Sequence, residues 1–292
     1  MLTLDSHQHY WQLERFDYGW IAPGNAALHQ DRLPDDVRLH MLNASIERAM
    51  LVHATNTADE IPWLLSLCNQ YSYIAGVVGH LNMASPGSTA AIGGFARDPR
   101  FRGVRMNLPY APRDSALISN SLHALERYGL SCDLLVGRTP AALIQAASLA
   151  NMHPGVPFIL DHLAGIHLTL GGETDFADLL LPFAALPNIA LKISGYLTSA
   201  DNTPVAMVAG ALQPYLDVAL NELGPARLMF GSDWPVCTQR GSYGDTVGIL
   251  RNLTSSLSTS EKAAIWGGTA ERVYRLQDGY RSPILPADTE RH

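Results

Sequence analysis

Short apolar and β-branched runs recur along the chain, separated by longer stretches in which apolar residues return every three or four positions. The runs are Leu2–His9, Ser45–His53, Tyr73–His80, Phe101–Leu108, Leu130–Val136, Pro157–His162, Ile189–Ser194 and Arg227–Asp233. Their length and β-branched content predict strands. The stretches between them predict helices. Thr57-Ala-Asp-Glu60 opens one as a capping box before Ile61–Asn69. Asp114–Tyr128 places Leu117, Ile118, Leu122 and Leu125 on one face and stops at Gly129. Thr139-Pro140 starts another, with proline at the first helical position. Phe176–Leu186, Pro204–Leu223 and Gly241–Leu253 follow, and a last helix runs from near Ser258 through Gly267-Gly268-Thr269 to Tyr274.

Strands alternating with helices predict a parallel sheet. Eight such units in 292 residues match an α/β fold, a single (β/α)8 barrel over residues 1–292. A doubly wound open sheet is the rival. No Gly-x-Gly-x-x-Gly follows the first run, so its usual dinucleotide version lacks a fingerprint. Residues 10–34 form a long first loop carrying Trp11, Phe16, Tyr18 and Trp20. They read either as a lid over the site or as a packed aromatic cluster. Residues 286–292 read as a frayed tail.

Composition changes this picture little. With 47% hydrophobic and 16% charged residues the chain is an ordinary globular one. A net charge of −7, with scattered acidic residues, leaves no basic footprint for nucleic acid. No apolar run is long enough for a bilayer, and no basic segment leads into an apolar one at the start. Cys68, Cys132 and Cys237 are an odd number of widely spaced thiols, which predicts reduced cysteines and a cytoplasmic protein. Self-association as a homo-oligomer is left open.

Chemistry in a barrel of this kind lies at the C-terminal ends of the strands. Those ends carry His7 and His9, His53, His80, Arg105 and Asn107, Asp133, Asp161-His162, Lys192 and Ser194, and Asp233. Five of the eleven histidines fall there, more than scatter would place. His7 and His9 share one face of an extended strand, about 7 Å apart. Two converging imidazoles can share a metal or serve one oxyanion. A hydrogen-bonded pair at a strand end is the alternative, and His53 and His80 taken singly read as structural. Phe230-Gly-Ser-Asp-Trp-Pro235 is the second motif. Gly231 permits close backbone approach, and Asp233, opposite the histidines, can take a proton from water. The same carboxylate could instead cap the next turn.

These motifs resemble the amidohydrolase superfamily, and within it the lactonase branch of amidohydrolase family 2. Asp5-Ser-His-Gln-His-Tyr-Trp11 is similar to its strand-1 motif, Gly103-Val-Arg105 to its strand-4 motif and Asp161-His162-Leu163 to its strand-6 Asp-His. Lys192-Ile-Ser-Gly195 is similar to its strand-7 motif. Arg227-Leu-Met-Phe-Gly-Ser-Asp-Trp-Pro-Val-Cys237 resembles the strand-8 segment of sugar-acid lactonases such as the L-fuconolactonases. Trp266-Gly-Gly-Thr-Ala-Glu-Arg-Val-Tyr274 resembles the family's terminal helix, so the likeness covers essentially the whole chain.

The resemblance implies a (β/α)8 barrel that hydrolyses a lactone, a small-molecule substrate, with Asp233 as general base. His7, His9 and His162 would polarise the carbonyl, directly or through a metal. That metal would be a single Zn or Mn ion held by His7, His9 and Asp233, with or without His162. The branch also includes members thought to work without one. Two-metal relatives carry a lysine or glutamate at strand 4 or 5, where this chain has Asp133, so two ions are not expected. Arg105 would hold a substrate hydroxyl or carboxylate, its alternative being a structural salt bridge. Asn107, Lys192 and Ser194 are candidates for sugar hydroxyls, and His53, His80 and Trp11 complete the expected substrate-binding set.

Two departures bear on substrate identity. Relatives continue Asp-His with Gly-Lys-Pro, whereas this chain reads Asp161-His-Leu-Ala-Gly-Ile-His167, and His53 is an addition. A pyrone- or muconate-type dicarboxylate lactone, or metal-dependent decarboxylation on the same scaffold, is the alternative chemistry. It would need several cations, yet of Arg105, Arg113, Arg138 and Arg240 only Arg105 lies in a predicted strand. A non-catalytic sugar-acid binder would keep the pocket but have little use for the His-x-His and Asp233 together.

Overall fold

Each of the eight apolar runs forms a strand. The computed structural model describes residues 3–111, 114–137, 139–169, 171–200 and 203–276, and the tail 286–292 lies outside them. Among the described residues the strands are β1 (Leu4–Gln8), β2 (Arg48–Val52), β3 (Ile74–His80), β4 (Phe101–Leu108), β5 (Ser131–Val136), β6 (Phe158–Leu160), β7 (Ile189–Ile193) and β8 (Leu228–Phe230). They pair in chain order, and all seven neighbouring pairs are parallel. The ring closes where β1 meets the segment after β8. Gln8 bridges to Trp234, the His9 amide donates to the Trp234 carbonyl (2.8 Å), and the Asp233 amide donates to the His7 carbonyl (2.9 Å). The molecule is therefore a (β/α)8 barrel, and its seam brings the two sequence motifs side by side.

Side chains alternate across each strand, which sorts the apolar ones into two layers. Leu4, Met50, Val52, Val78, Ile159 and Met229 fill the barrel, together with Val273, Tyr274 and Leu276 from the chain's last described segment. Leu51, Val77, Val104, Leu134, Leu160, Leu191 and Phe230 face outward and pack against helices. Among the described residues no helix is long and apolar enough to cross a membrane.

The predicted helices appear within a few residues of their expected bounds. Ser115–Tyr128 ends at Gly129, whose φ of 67° is the left-handed conformation that glycine accepts without strain. Pro140–Met152 is capped by the Thr139 hydroxyl accepting from the Ala142 amide. Glu173–Ala184, Val205–Glu222 and Tyr243–Leu253 follow. Thr259–Ala263 continues through a π-helical segment, Ala264–Gly268, into Thr269–Val273. Two further helices, Pro34–Asn43 and Ser88–Phe95, were not expected. The first begins with proline followed by two acidic residues, a legible start signal. The second is rich in Ala and Gly and carries a single buried large apolar side chain, Ile92, so its periodicity is weak.

The capping box at Thr57…Glu60 is a correction. Glu60 turns inward to the end of β2, where its Oε2 accepts from the Ala54 amide (3.0 Å) and the Thr55 amide (3.3 Å). Buried amides without a strand partner are costly, and this carboxyl satisfies two of them. Burial raises its pKa to about 7.

The first loop is a packed unit. Trp11, Tyr18, Ile21 and Leu28 form a small core with Ala54. The Trp11 indole donates to the Leu28 and Gln30 carbonyls (3.3 and 2.8 Å). The aromatics of residues 10–34 pack together, and Trp11, expected on substrate, is fully buried among them.

Candidate active site

β1 and the turn after β8 build the centre. His7 and His9 point into the barrel mouth with their Nε2 atoms 3.1 Å apart. Asp233 Oδ1 lies 3.5 Å from His9 Nε2 and 3.8 Å from His7 Nε2. The local backbone makes this approach possible. Asp233 has a φ of 57°, unusual for a residue with a side chain. A Cβ added at Gly231 would sit 2.8 Å from the His7 Cβ and 3.1 Å from the Ser194 Cβ. The helical turn that follows, Val236–Gln239, has Pro235 and not Asp233 at its cap position. The carboxylate faces the histidines instead.

Asp5, a residue that the strand-1 motif contained without a role, locks this seam. It is fully buried, and its carboxylate accepts from the His7 amide (3.2 Å), the Ser232 amide (2.8 Å), Gln8 Nε2 (2.7 Å) and the Tyr243 hydroxyl (3.1 Å). The carboxylate thus ties the His-x-His strand to the Asp233 segment.

His162 packs against His7, ring centres 4.5 Å apart, and its Nδ1 is 3.0 Å from the Ser194 hydroxyl. It shares with Asp233 a cavity of about 280 Å³ that Leu135, Val136, Gly137, Gly195, Thr198 and Ser199 also line. Gly195, with φ 67°, is required here, since a Cβ would lie 2.9 Å from His162 Nδ1.

Arg105 on β4 is aimed by His53. Its Nε donates to His53 Nε2 (2.9 Å) and its Nη2 to the His53 carbonyl (2.9 Å), while Nη1 lies 3.9 Å from Asp161 Oδ2. His53 Nδ1 donates to the Thr55 carbonyl (2.9 Å), so both ring nitrogens are used. His80 stacks on His53 at 5.1 Å and is half-buried, and Asn107 is exposed.

Beneath the centre lies a buried ionic group. Lys192 Nζ is 2.5 Å from Asp133 Oδ2, 3.0 Å from Asp161 Oδ1 and 3.1 Å from His7 Nδ1. The Tyr274 hydroxyl donates to Asp133 Oδ2 (2.8 Å).

Burial dominates the titration of the histidines, because the charged imidazolium is poorly solvated there. Burial, then the Lys192 charge, holds His7 well below its usual pKa. Burial, then Arg105, does the same to His53 and, to a smaller extent, His80. Burial also lowers His162. For Asp161 burial acts to raise the pKa, but Lys192 and His7 outweigh it and hold the carboxyl well below the usual range.

Several side chains expected on substrate are used elsewhere. Lys192 is sealed in ion pairs, Ser194 holds His162, His53 holds Arg105, and Trp11 belongs to the loop core. The sequence carries one signal of the ionic group, a lysine inside the apolar run Ile189-Ala-Leu-Lys-Ile193.

The donor set suits one divalent metal. His7 Nε2, His9 Nε2 and Asp233 Oδ1 lie within 4.8 Å of one another. Tetrahedral zinc with bonds of 2.0–2.1 Å sets its ligand atoms about 3.4 Å apart, close to the separations here. His9 also has the outer partner that a ligating imidazole needs, its Nδ1 lying 2.8 Å from the Val52 carbonyl. A second grouping, His7, Asp161 and His162, is less suited. It shares His7, and Lys192 and Arg105 already place two cations beside Asp161.

Known proteins resemble this chain along nearly its whole length. A family profile described as amidohydrolase matches residues 4–276. L-fucono-1,5-lactonase of Burkholderia multivorans is 33% identical over 290 residues, covering 95% of this chain and 97% of that protein. L-fucono-1,5-lactonase of Burkholderia ambifaria is 29% identical over 281 residues, covering 94% and 95%. The crystal structure of an amidohydrolase from Burkholderia multivorans with bound zinc superposes with a TM-score of 0.85 at 32% identity, over 95% of this chain and all of that one. A manganese complex of 5-carboxyvanillate decarboxylase from Novosphingobium aromaticivorans reaches 0.65 at 14% identity, covering 94% of this chain and 96% of that one. That last likeness is one of fold.

Proposed function

Because this chain belongs to the amidohydrolase family, whose profile spans its barrel, we propose that it hydrolyses a lactone ring and that the lactone is that of a sugar acid. The observation that carries the reading is the Asp233 carboxylate held against the His7 and His9 imidazoles at the edge of a cavity of about 280 Å³. Two relatives named L-fucono-1,5-lactonase support the reaction class.

In this reading Asp233 takes a proton from water as the water oxygen attacks the ring carbonyl. His7 and His162 face the carbonyl oxygen as its charge develops, and hydrogen bonds aimed at that oxygen lower the barrier. Collapse breaks the ring C–O bond, and Asp233 returns the proton to the departing ring oxygen. The product is the open hydroxy acid, and water is the only co-reactant. Arg105, fixed in direction by His53, offers Nη1 to a hydroxyl or to the new carboxylate. Asn107, which is exposed, and His80, which packs against His53, are the further candidates for hydroxyls. A zinc or manganese ion, where bound by His7, His9 and Asp233, supplies Lewis-acid polarisation of the carbonyl.

A neutral polyhydroxylated lactone suits this site better than a dicarboxylate or an aromatic acid. Of Arg105, Arg113, Arg138 and Arg240, Arg105 stands beside the centre, against His53 and Asp161. Lys192 is neutralised below it, Arg240 is exposed and bonded to the Thr203 carbonyl, and Arg113 and Arg138 lie outside the described residues. The test is acid release from a panel of sugar-acid lactones, followed with a pH indicator. The wild type is expected to turn over at least one aldonolactone well above spontaneous hydrolysis. Asp233→Asn is expected to lose about 10²–10⁴-fold in kcat, the usual worth of general base catalysis. A flat panel removes the substrate class, and near-normal turnover by the variant removes the base.

A further inference from the structure

Lys192 is fully buried, and nothing in the proposed reaction uses it. Burying charges is unfavourable unless they are closely paired, so this group has a structural or a functional reason. Its geometry around His7 supplies one. His7 Nδ1 has two neighbours of opposite character. Lys192 Nζ, 3.1 Å away, can only donate. Asp161 Oδ1, 3.5 Å away, can only accept.

A neutral imidazole carries one proton, on one nitrogen or the other. If Nδ1 accepts from Lys192, the proton sits on Nε2 and His7 presents an N–H to the cavity. If Nδ1 donates to Asp161, Nε2 presents a lone pair, the form that ligates a metal. The distances select the first. The Lys192 contact, at 3.1 Å, is a hydrogen bond of ordinary length, whereas Asp161 Oδ1 stands at 3.5 Å, the outer edge of hydrogen bonding, and already has the Lys192 ammonium at 3.0 Å. His9 is the converse case. Its Nδ1 faces the Val52 carbonyl, which can only accept, so its Nε2 presents a lone pair. The 3.1 Å between the two Nε2 atoms then holds a single proton, shared in one direction from His7 to His9.

We propose that Lys192, anchored by Asp133 and Tyr274, is a positioning residue that fixes His7 as an Nε2–H donor. Without substrate that N–H points at His9 Nε2 (3.1 Å), an entering carbonyl oxygen replaces His9 as its acceptor, and a metal binds only by displacing that tautomer. No group changes charge in this device. The tautomer is set by which partner occupies Nδ1. The inference goes beyond the lactonase reading, and neither readout below involves a substrate, so each can fail without the other.

The direct measurement is a long-range ¹⁵N–¹H spectrum of the histidine side chains in the chelator-dialysed wild type, with His7 assigned by loss of its signals in His7→Gln. A proton on Nε2 of His7 and on Nδ1 of His9 is expected, and a proton on Nδ1 of His7 overturns the proposal. The second measurement is zinc affinity, by competition with a chromophoric chelator, in wild type and in Lys192→Met/Asp133→Asn. This double variant removes one charge of each sign and leaves Asp161 as the partner of Nδ1. It is expected to bind zinc about 10–100-fold more tightly, the range over which outer partners of a ligand act. Equal or weaker zinc binding by a folded variant overturns the proposal. Should circular dichroism show the variant unfolded, the wild-type spectrum alone decides.

Discussion

His7 and His53 are neutral because their surroundings leave no room to solvate a charge, and in each case a cation stands beside the ring. Their folded pKa values lie below the 6.5 of an exposed imidazole, so between those values the unfolded chain binds more protons than the folded one. Stability is then complete above pH about 6.5 and falls as the pH drops below it, by about 1.4 kcal/mol per unit for each such group. Glu60 works in the opposite sense. Its raised value of about 7 means that it binds a proton in the folded state first, so its share of stability is lost as pH rises from 4.5 to 7. Asp5 and Asp133, raised by burial, act in the same sense as Glu60, and the two strongly depressed histidines, with His162, His80 and His153 shifted the same way, outnumber the three acids. The melting temperature measured in urea-free buffer should therefore fall as the pH drops from about 6.5 to 5. A flat profile there would contradict the neutral assignment. At this same scale the sequence was least informative. Lys192, Ser194 and His53 are residue types that often bind hydroxyls, and their strand-end positions suggested it. Whether such a side chain faces substrate or a neighbour depends on what the next strands bring within about 3 Å.

At the scale of elements, the seam between β1 and the turn after β8 carries the site, and close approach is its requirement. Gly231→Ala should press a methyl group into the His7 and Ser194 side chains, both too short to swing aside. Overpacking of this kind costs about 1–3 kcal/mol. The expected result is a lower melting temperature together with a loss in kcat, since His7 must move. Wild-type values for both would show that the seam is looser than these distances imply. Strand and helix positions were legible because each unit repeats the same pattern of a short apolar run and an amphipathic stretch. β4 matches its predicted bounds residue for residue. Glu60 escaped because Thr57…Glu60 matches a local rule, while two unpaired amides at Ala54 and Thr55, brought close only in the fold, compete better for the carboxylate.

At the scale of the molecule, the barrel is closed below the site by the last described segment, and Tyr274 links that closure to the chemistry. Its hydroxyl donates to Asp133, which holds Lys192, which contacts His7. Tyr274→Phe leaves a buried carboxylate short of one donor, which costs about 1–3 kcal/mol. The urea midpoint should fall by the corresponding amount, and an unchanged midpoint would mean that Asp133 finds its partner elsewhere. The sequence by itself determined the eight-fold alternation, the barrel, the His-x-His and the strand-8 aspartate, because periodicity and motif spacing are local properties of a chain. Only the tertiary structure decided which polar side chains serve each other beneath the mouth. Lys192 lies 59 residues from Asp133 and 185 from His7, and it becomes the neighbour of both only when parallel strands close into a ring.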